Sequence, residues 1–241
     1  MDNSKSKIDV FNEETMKFIQ RFLTSGTLKV LEVGCGSGDF GFELVKTGIT
    51  LTALDTDEES VKSALRKGVP AKCIDFLSFN GTSFDLIIFT RSLHHIHKLK
   101  EALDHSKLLL KKGGKLIIED FDLEMIDLNT LRWYYDTSAI LSTIFQKEKS
   151  SDYVKDPIKA WKDDHYHEPP LHSGKEMIKK IEEKFRTIKI ERNAYLYRSI
   201  CEQLHDDTIG YHLTRRVLEI ENGLITNRSI LPNGLRIVAE N

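Results

Sequence analysis

A glycine-rich turn within residues 28–44, LKVLEVGCGSGDFGFEL, has the spacing of a small-molecule site. From Gly36 onwards it is G-S-G-D-F-G, which matches the dinucleotide pattern G-x-G-x-x-G. From Glu32 onwards it is E-V-G-C-G-S-G, an acidic residue followed by G-x-G-x-G. Glycines let the backbone approach a ligand closely, and a helix beginning near Ser37 offers its first amides to a carboxylate or phosphate. The turn therefore predicts a ligand site and leaves the ligand open.

Two acidic residues help to decide which of the two candidate ligands the turn binds. Asp55 ends the second predicted strand, where an ionised carboxylate can accept hydrogen bonds from both ribose hydroxyls. Glu32 directly precedes the glycines, where its charge would repel the pyrophosphate of a nicotinamide dinucleotide. The same charge would attract the sulfonium and amino groups of S-adenosylmethionine. We therefore favour the sulfonium ligand, with a dinucleotide oxidoreductase as the alternative.

The elements that must position these residues alternate between strand-like and helix-like segments, which predicts a mostly parallel sheet with helices on both faces. The predicted strands are LKVLEV, ITLTALD, AKCID, FDLIIFT, KLIIEDF, RTIKIERNAYLYR and GLRIVAE. The predicted helices are 13–23, one capped by Thr56 and Glu59, KEALDHSKLLLKKGG, LNTLRWYYDTSAILSTIF, one capped by Ser173 and Glu176, and 206–222. Residues 122–170 break the alternation and predict an insertion over the open end of the sheet.

Motifs spread over about half of the chain resemble those of one family. VLEVGCGSG resembles the first motif of class I S-adenosylmethionine-dependent methyltransferases, and Asp55 in LTALDTD matches their ribose-binding acid. CIDF matches the third-strand motif, and FDLIIFTRSLHHI resembles the fourth-strand motif. LLLKKGGKLIIED resembles the fifth-strand LLKPGG pattern, with Lys112 where proline is common. By these motifs the chain is identified as a member of the small-molecule, type 11-like branch of that family.

The resemblance implies a fold and a function. The fold would be α/β, a doubly wound, Rossmann-like sheet of seven mostly parallel strands. Its last strand would be antiparallel, and a helical insertion would follow the fifth strand. Residues 1–241 would form one methyltransferase domain, with residues 122–170 as a substrate lid. The implied reaction transfers a methyl group from S-adenosylmethionine to an O, N or S atom of a small-molecule acceptor.

The same resemblance implies which residues hold the cofactor. Asp75 would accept a hydrogen bond from the adenine amino group, and Phe76 would offer its backbone amide. The backbone near Thr90 and Arg91 would meet the methionine part. The full expected cofactor set is Glu32, Gly34, Cys35, Gly36, Gly38, Asp55, Thr56, Asp75, Phe76, Thr90 and Arg91.

Three histidines are candidates for catalysis. Holding acceptor and donor in line can supply most of the acceleration of a methyl transfer. A general base is needed only for a hydroxyl or a protonated amine. His94, with His95 as the alternative, follows the fourth strand and would serve as that base or as a packing residue. His165 and His172, in the segment WKDDHYHEPPLH, are the other candidates.

The segment WKDDHYHEPPLH also raises the question of a metal. His165, His167 and His172 lie close to Asp163 and Asp164 in the sequence. However, H-x-H in a loop is a loose metal pattern, and no second tight pair supports it. We predict no metal, and instead a polar loop that folds over the cleft.

Aromatic and basic residues in the second half of the chain are candidates for binding the acceptor. The candidates are Trp133, Tyr134, Trp161, His165, Tyr195 and Arg198. Trp133, Tyr134 and Tyr135 are consecutive on a predicted helix, where neighbours differ by about 100°. We therefore expect at least one of the three to leave the common core for the cleft or solvent.

The predicted sixth strand places Tyr195 and Tyr197 on one face and Arg198 on the other. Arg198 would then pair with an acidic acceptor or form a surface ion pair. This strand pattern thus predicts that the two tyrosines and the arginine have different surroundings.

Composition limits the partners. The net charge of −2 gives no sequence-wide basic field to attract nucleic acid or anionic lipid. Cys35, Cys73 and Cys201 are widely spaced, which fits reduced thiols. The first residues are polar, and apolar runs such as 86–89 are too short to cross a bilayer. We expect a cytoplasmic monomer or homodimer that acts on a small molecule, without nucleic acid or membrane partners.

Two other functions stay open. One is an RNA or protein methyltransferase. The absence of a basic run in the sequence argues against RNA as the acceptor. In addition, T-R-S-L after the fourth strand differs from the N/D-P-P-Y/F type of amino-DNA methyltransferases. A non-catalytic scaffold that binds S-adenosylmethionine is disfavoured by intact residues at the expected site: Glu32, Gly34, Gly36, Gly38, Asp55 and Asp75.

Overall fold

The computed structural model describes residues 5–23, 28–81, 83–144 and 154–241. The chain divides into two compact units. The first, here called the sheet unit, comprises Glu14–Phe121, Leu171–Glu191 and Leu235–Asn241. The second, here called the helical unit, comprises Met1–Glu13, Asp122–Pro170 and Arg192–Gly234. Residues 145–153 of the predicted insertion, including Phe145 of its predicted helix, lie outside the described residues.

Strands and helices alternate through the first half of the chain. In chain order the elements are α1 (Lys7–Ile19), β1 (Lys29–Val33), α2 (Asp39–Val45), β2 (Thr50–Asp55), α3 (Glu58–Arg66), β3 (Ala71–Cys73), β4 (Phe84–Thr90), α4 (Leu99–Leu109), β5 (Leu110–Phe121), α5 (Leu128–Ile144), α6 (Pro157–Asp164), α7 (Gly174–Glu182), β6 (Arg186–Asn193), α8 (Leu196–Cys201), α9 (Thr208–Thr226) and β7 (Gly234–Glu240). Within the described residues, no helix combines the length and apolar character needed to cross a bilayer.

In the described parts of the chain, seven strands form one sheet in the order β3-β2-β1-β4-β5-β7-β6. β1 pairs in parallel with β2 and with β4, and parallel pairing continues outward to β3 and to β5. The last strand is antiparallel, and helices follow β5. The predicted fold class is confirmed. The strand order reverses between β1 and β4, and ligands bind at the carboxyl ends of strands at such a point.

Two apolar clusters cover the sheet in the sheet unit. Successive side chains of a strand point to opposite faces. Leu31 and Val33 of β1 accordingly pack in a cluster with residues of α4 and α7. Val30 belongs to a second cluster with residues of α1, α2 and α3. Because both faces are covered, four of the five β1 positions are buried, as expected for a central parallel strand.

The helical unit has a third apolar cluster of its own, to which α5, α6, α8 and α9 contribute. Glu221 of α9 lies inside this unit with its side chain completely buried. Its carboxylate accepts hydrogen bonds from the backbone amides of Tyr195, Leu196 and Tyr197, at 2.8 to 3.0 Å. The first amides of a helix have no partner within the helix, so Glu221 stabilises the start of α8.

The predicted sixth strand was wrong beyond Asn193. β6 ends there, and Tyr197 and Arg198 lie in α8, with Tyr195 directly before it. The two tyrosines and the arginine are all buried in the structure. They therefore do not alternate between a core face and an exposed face. A carboxylate that is distant in sequence, on Glu221, favours the helix over a longer strand.

Several predicted boundaries also differ from the structure. α1 begins at Lys7, six residues before the predicted start at Glu13. The N-cap of α3 is Asp57, whose carboxylate accepts from the amide of Ser60 at 2.8 Å, so the predicted Thr56 cap was wrong. α4 ends at Leu109, and the next residues, predicted as helix, begin β5. The predicted cap of α7 is confirmed, since Ser173 Oγ accepts from the amide of Glu176.

Candidate functional site

A cavity of about 760 Å³ lies at the carboxyl ends of the central strands of the sheet unit. Its wall comes from the residues that follow β1, β2, β3 and β4. The lining residues are Val33, Gly34, Gly36, Leu54, Asp55, Thr56, Ile74, Asp75, Phe76, Leu77, Ser78, Arg91, Ser92, His95, Ile96, His97 and Lys98. This is the place where a doubly wound sheet is expected to bind its ligand.

The glycine turn after β1 packs tightly on one side and is open on another. Gly34 has a φ of +74°, and a Cβ there would lie 2.4 Å from Ser92 Cβ. Ser92 is held in place because its hydroxyl donates to Val33 O at 2.6 Å. Gly36 also has a positive φ, but a Cβ there would meet nothing within 4 Å. The turn therefore needs glycine at 34 for packing, whereas Gly36 presents bare backbone to the cavity.

Asp55 is oriented by backbone amides at the end of β2. One carboxylate oxygen accepts from the amide of Gly36 at 2.7 Å, and the other accepts from the amide of Asp57 at 3.0 Å. Each oxygen keeps a second lone pair for a ligand. Asp75 is similarly fixed after β3, because it accepts from the amide of Leu77 at 2.8 Å. Two carboxylates of fixed orientation therefore line the same cavity.

Glu32 lies outside the cavity wall. Its side chain is on the β1 face covered by α2, where a Cβ on Gly41 would lie 2.7 Å from Glu32 Oε2. It is completely buried, and neither carboxyl oxygen has a hydrogen-bond partner among the described residues. Burial raises the pKa of Glu32 to about 8, with the positive charge of Arg91 opposing the shift and the negative charge of Asp55 adding to it. The carboxyl expected to face the ligand is therefore neutral at pH 7.

The expected cofactor residues fall into two groups. Those that line the cavity are Gly34, Gly36, Asp55, Thr56, Asp75, Phe76 and Arg91. Those that do not line it are Glu32, Cys35, Gly38 and Thr90. Cys35 is buried, and burial raises the pKa of its thiol to about 12. A Cβ on Gly38 would lie 2.6 Å from Ala64 Cβ, so this glycine allows α2 and α3 to pack closely.

Arg91 occupies an unusual position after β4. It is one of few residues other than glycine among those described that have a positive φ, here 58°. Its backbone amide donates to Glu119 O at 2.7 Å, and its Nη1 lies 3.5 Å from Glu119 Oε2. The side chain lines the cavity. Glu119, near the end of β5, was not identified as a site residue from the sequence. The available signal was its position as a carboxylate directly after the apolar residues of the predicted fifth strand.

The two adjacent histidines after β4 have different surroundings. His94 is buried, with Nδ1 2.7 Å from Asp120 Oδ1 and its ring edge-to-face with Phe121. It does not line the cavity, whereas the exposed His95 does. Of the two, His95 is placed to meet a ligand in the cavity, and His94 is held inside the sheet unit.

His172 contacts the loop after β4 from outside the cavity wall. Its backbone amide donates to His94 O, and its Nε2 donates to Ile96 O, both at 3.1 Å. Its Nδ1 lies 3.0 Å from Glu176 Oε2 on α7. Both ring nitrogens are thus engaged within the sheet unit. The geometry gives His172 a role in positioning the loop that carries His95, Ile96 and His97.

The expected substrate residues of the second half are buried in the helical unit or partly buried against its core. Trp161 is buried, and its indole nitrogen donates to Leu123 O at 3.2 Å. The ring of His165 stacks on it with centroids 3.8 Å apart, and Tyr134 packs edge-on at 5.6 Å. Among the described residues, no group of three or more His, Cys, Asp or Glu side chains is arranged to hold a metal ion.

The three consecutive aromatics of α5 share one core. Trp133, Tyr134 and Tyr135 are each partly buried, and all pack against the apolar cluster of the helical unit. The expectation that one of them would leave the common core was therefore wrong. Each of the three rings is only partly buried. Side chains that point in different directions from α5 can therefore all contact the same apolar cluster.

Arg198 is buried in the helical unit and does not lie at the surface. Its Nη2 donates to Phe11 O at 3.0 Å, and its guanidinium lies 5.2 Å from the Phe11 ring and 5.3 Å from the Tyr197 ring. Cation–π contacts of this kind stabilise a guanidinium that is removed from water. Arg198 therefore joins the N-terminal segment to α8 within the helical unit.

Comparison with known proteins agrees with this geometry. A family model described as a methyltransferase domain matches residues 8–155. A demethylmenaquinone methyltransferase from Corynebacterium urealyticum is 26% identical over 141 residues, which are 56% of this chain and 61% of that protein. A ubiquinone biosynthesis O-methyltransferase from Coxiella burnetii is 27% identical over 117 residues, 45% of this chain and 50% of that protein. The chain thus spans only about half to three fifths of the length of these curated relatives.

Solved structures share the fold over nearly the whole chain. A SAM-dependent methyltransferase from Archaeoglobus fulgidus superposes with a TM-score of 0.58 at 20% identity, covering 97% of this chain and 94% of that one. Magnesium protoporphyrin IX methyltransferase from Synechocystis PCC 6803, determined with bound SAH, gives a TM-score of 0.55 at 12% identity and covers 98% and 83%. At these identities the superpositions establish the fold.

Proposed function

The chain belongs to the methyltransferase domain family, and from this premise we propose that it transfers a methyl group from S-adenosylmethionine to an O, N or S atom of a small-molecule acceptor. The observation that carries the proposal is Asp55. Its carboxylate is fixed by two backbone amides beside the open backbone of Gly36, in the wall of a cavity at the strand-order reversal. This arrangement suits the ribose of a nucleoside ligand.

The residues present fit S-adenosylmethionine. Asp55 would accept from the ribose hydroxyls, and Asp75 would accept from the adenine amino group. Phe76, Ile74 and Ile96 give the cavity apolar wall for the purine. Gly36 would let the backbone approach the amino acid part, because no Cβ intervenes.

The chemistry of the bound cofactor is simple, since its positively charged sulfur carries an electrophilic methyl group. The residues of the chain bind and orient, which is the main source of acceleration in a two-reactant displacement. His95 is an exposed histidine of the cavity wall, as is His97, and we propose His95 as the group that accepts a proton from a hydroxyl or amine acceptor. His94 and His172 are engaged elsewhere, and we assign them positioning roles.

The acceptor is proposed to be a small molecule. Support comes from relatives whose names refer to demethylmenaquinone and to ubiquinone biosynthesis. We further propose that residues 122–170 act as the substrate lid, with Trp133, Tyr134 and His165 as its candidate contacts. Trp161 would support that surface from the core of the helical unit. A cytoplasmic monomer or homodimer stays the expectation for the cellular form.

A transfer assay with S-adenosylmethionine labelled in the methyl group tests the function. The protein is incubated with panels of phenols, amines and thiols, and labelled products are counted. We expect one chemical class to accept the label and Asp55→Ala to abolish transfer. Glu59→Ala, which removes an exposed carboxylate on α3, is the matched control and should retain activity.

Two results would contradict this proposal. Label transfer only to RNA or protein, with salt-sensitive retention of tRNA, would support the RNA or protein alternative. Cofactor binding without transfer to any acceptor, together with a stable protein partner, would support a scaffold instead.

A further inference from the structure

The two edge strands of the sheet differ in length. β3, at one edge, has three residues, a length that offers little backbone to another chain. β6, at the other edge, has eight residues, and β7 is its only strand neighbour in the part of the chain that the structure describes. The β6 sequence RTIKIERN contains no proline or glycine that would oppose further strand pairing. The outer side of β6 therefore offers backbone donors and acceptors to a second strand.

The middle of β6 is exposed on both faces of the sheet. Ile188 is 42% exposed and Ile190 is 39% exposed, and the alternation of a strand places both on one face. Lys189 and Glu191 lie on the opposite face, with side chains 46% and 25% exposed. Edge strands are usually short, charged or covered, so two exposed isoleucines on a long edge strand are unusual for a surface that only meets water.

The charges of β6 are complementary to those of a second copy of the same strand. In a two-fold symmetric antiparallel pair, a residue i that lies opposite a residue j also has its counterpart j opposite i. With Ile190 on the two-fold axis, Lys189 of each copy lies opposite Glu191 of the other copy. Opposite charges at directly facing positions stabilise an antiparallel pair.

The neighbouring registers are disfavoured by the same charges. A symmetric shift that keeps each face of the strand on its own side moves the pairing by two residues. In one direction Lys189 then faces Lys189 of the second copy, and in the other direction Glu191 faces Glu191. Like charges that face each other directly are destabilising, so the charge pattern favours the register centred on Ile190.

Contacts within the chain leave these charges available to a second copy. Arg21 Nη2 lies 2.7 Å from Glu191 Oε2, and Lys189 Nζ forms an ion pair with Glu191 Oε1. Residues two apart on one strand are separated by about 6.6 Å, whereas directly facing residues of an antiparallel pair have Cβ atoms about 5 Å apart. The Lys189 ammonium has three donors, so it can bond to Glu191 of the second copy in addition to its own.

We propose that β6 is the surface through which two copies of this chain associate, as antiparallel strands with Ile190 on the two-fold axis. This pairing extends the seven-stranded sheet across both copies and brings the exposed isoleucines of the two strands together. It does not depend on the proposed function. Because a single strand pair buries little area, we expect a weak dimer with a dissociation constant on the order of 10 μM.

Sedimentation equilibrium over a range of protein concentrations tests the dimer and its charges. Lys189→Glu replaces two attractive pairs by two repulsive ones and should weaken association at least about tenfold. Lys62→Glu is the matched control, because Lys62 on α3 is 48% exposed and also forms ion pairs with glutamates of its own element. The control makes the same change in net charge and should leave association unchanged.

A second substitution should restore the dimer. In the double variant Lys189→Glu/Glu191→Lys, both facing pairs again join opposite charges. Its dissociation constant should return to within about threefold of the wild-type value. The double variant loses the bond between Glu191 and Arg21, so its melting temperature is measured first. If it does not fold, the cysteine variants described next decide.

Disulfide formation tests the register. The background is Cys73→Ser, because Cys73 is exposed whereas Cys35 and Cys201 are buried. Ile190→Cys places two thiols opposite each other across the axis and should form a covalent dimer under mild oxidation. Ile188→Cys, the matched control, places its two thiols more than about 10 Å apart and should stay unlinked.

Three results would overturn the proposal. The first is a wild-type chain that stays monomeric up to about 0.5 mM, which would leave the β6 edge to a different protein or to solvent. The second is a dimer that Lys189→Glu weakens no more than Lys62→Glu does. The third is a covalent dimer through Ile188→Cys in place of Ile190→Cys, which would show a different register.

Discussion

Two glutamates, one in each unit, are completely buried but differ in their hydrogen bonds. Glu221 of the helical unit accepts from three backbone amides, at 2.8 to 3.0 Å. Neither carboxyl oxygen of Glu32 in the sheet unit has a hydrogen-bond partner among the described residues. Burial raises the pKa of Glu32 to about 8 and that of Glu221 to about 7, the latter against its three hydrogen bonds.

The two glutamates differ in whether the fold explains their burial. The contacts of Glu221 are explained by the fold, because they satisfy the first amides of α8. Nothing in the fold explains why β1 keeps a carboxyl under α2 without a partner. A buried polar group without a partner costs stability, and proteins retain such groups mainly where they serve a function. Glu32 is therefore a buried carboxyl that the contacts of the fold do not explain.

Glu221→Ala should cause the largest loss of stability, about 5 kcal/mol, because three buried amides lose their acceptor. Urea denaturation of the variant measures the loss. Glu219→Ala, which removes an exposed carboxylate of the same helix, should cost less than about 0.5 kcal/mol. Equal effects of the two substitutions would remove the contrast between Glu221 and a surface residue.

Glu32→Gln should stabilise the ligand-free protein in a manner that depends on pH. The folded pKa of Glu32 is raised from 4.5 to about 8, so wild type loses stability as pH rises between these values. The variant lacks this loss. Its advantage should be near zero below pH 4.5 and approach roughly 5 kcal/mol above pH 8. Denaturant titrations from pH 4 to 9 test this, and an advantage independent of pH would contradict it.

Gly34→Ala should cost about 3 kcal/mol, combining a positive φ with overlap against Ser92. Gly48→Ala is the matched control, because Gly48 also has a positive φ but a Cβ there meets nothing within 4 Å. The control should cost only about 1 kcal/mol. Adding Ser92→Gly should recover part of the difference. Equal costs at the two glycines would show that Gly34 is not needed for packing.

His172→Ala should have the smallest effect, about 1 kcal/mol, through loss of the bond to Ile96 O. The affinity for S-adenosylhomocysteine should fall several-fold because the cavity loop is less ordered. Glu176→Gln, which leaves the bond to Ile96 in place, should change affinity less. Lower turnover at saturating cofactor with unchanged affinity would instead favour the catalytic role expected from the sequence.

The structure of the sheet unit was predicted better than that of the helical unit, because short contiguous stretches of sequence indicate its strands and its glycine turn. β4 and β7 have their predicted bounds, and the glycine turn lies where the motif places it. In the helical unit, Tyr195 to Arg198 alternate like a strand but begin a helix. The cause is Glu221, which is distant in sequence and supplies the acceptors for the first amides of α8.

The candidate site could be predicted in part. Gly36, Asp55 and Asp75 line the cavity as expected. Glu32 does not, and the alternation of β1 could have indicated this, since Glu32 shares a face with Val30 under the helices. His97 and Lys98 were missed because they follow the fourth-strand motif in a segment whose path depends on contacts with α7, through His172.

The most direct measurement of the central claim is a parallel calorimetric titration with S-adenosylhomocysteine and NADH. We predict saturable one-to-one binding of S-adenosylhomocysteine, weakened about ten- to a hundredfold by Asp55→Ala, and no binding of NADH. Saturable binding of NADH without binding of S-adenosylhomocysteine would contradict the assignment of the cavity.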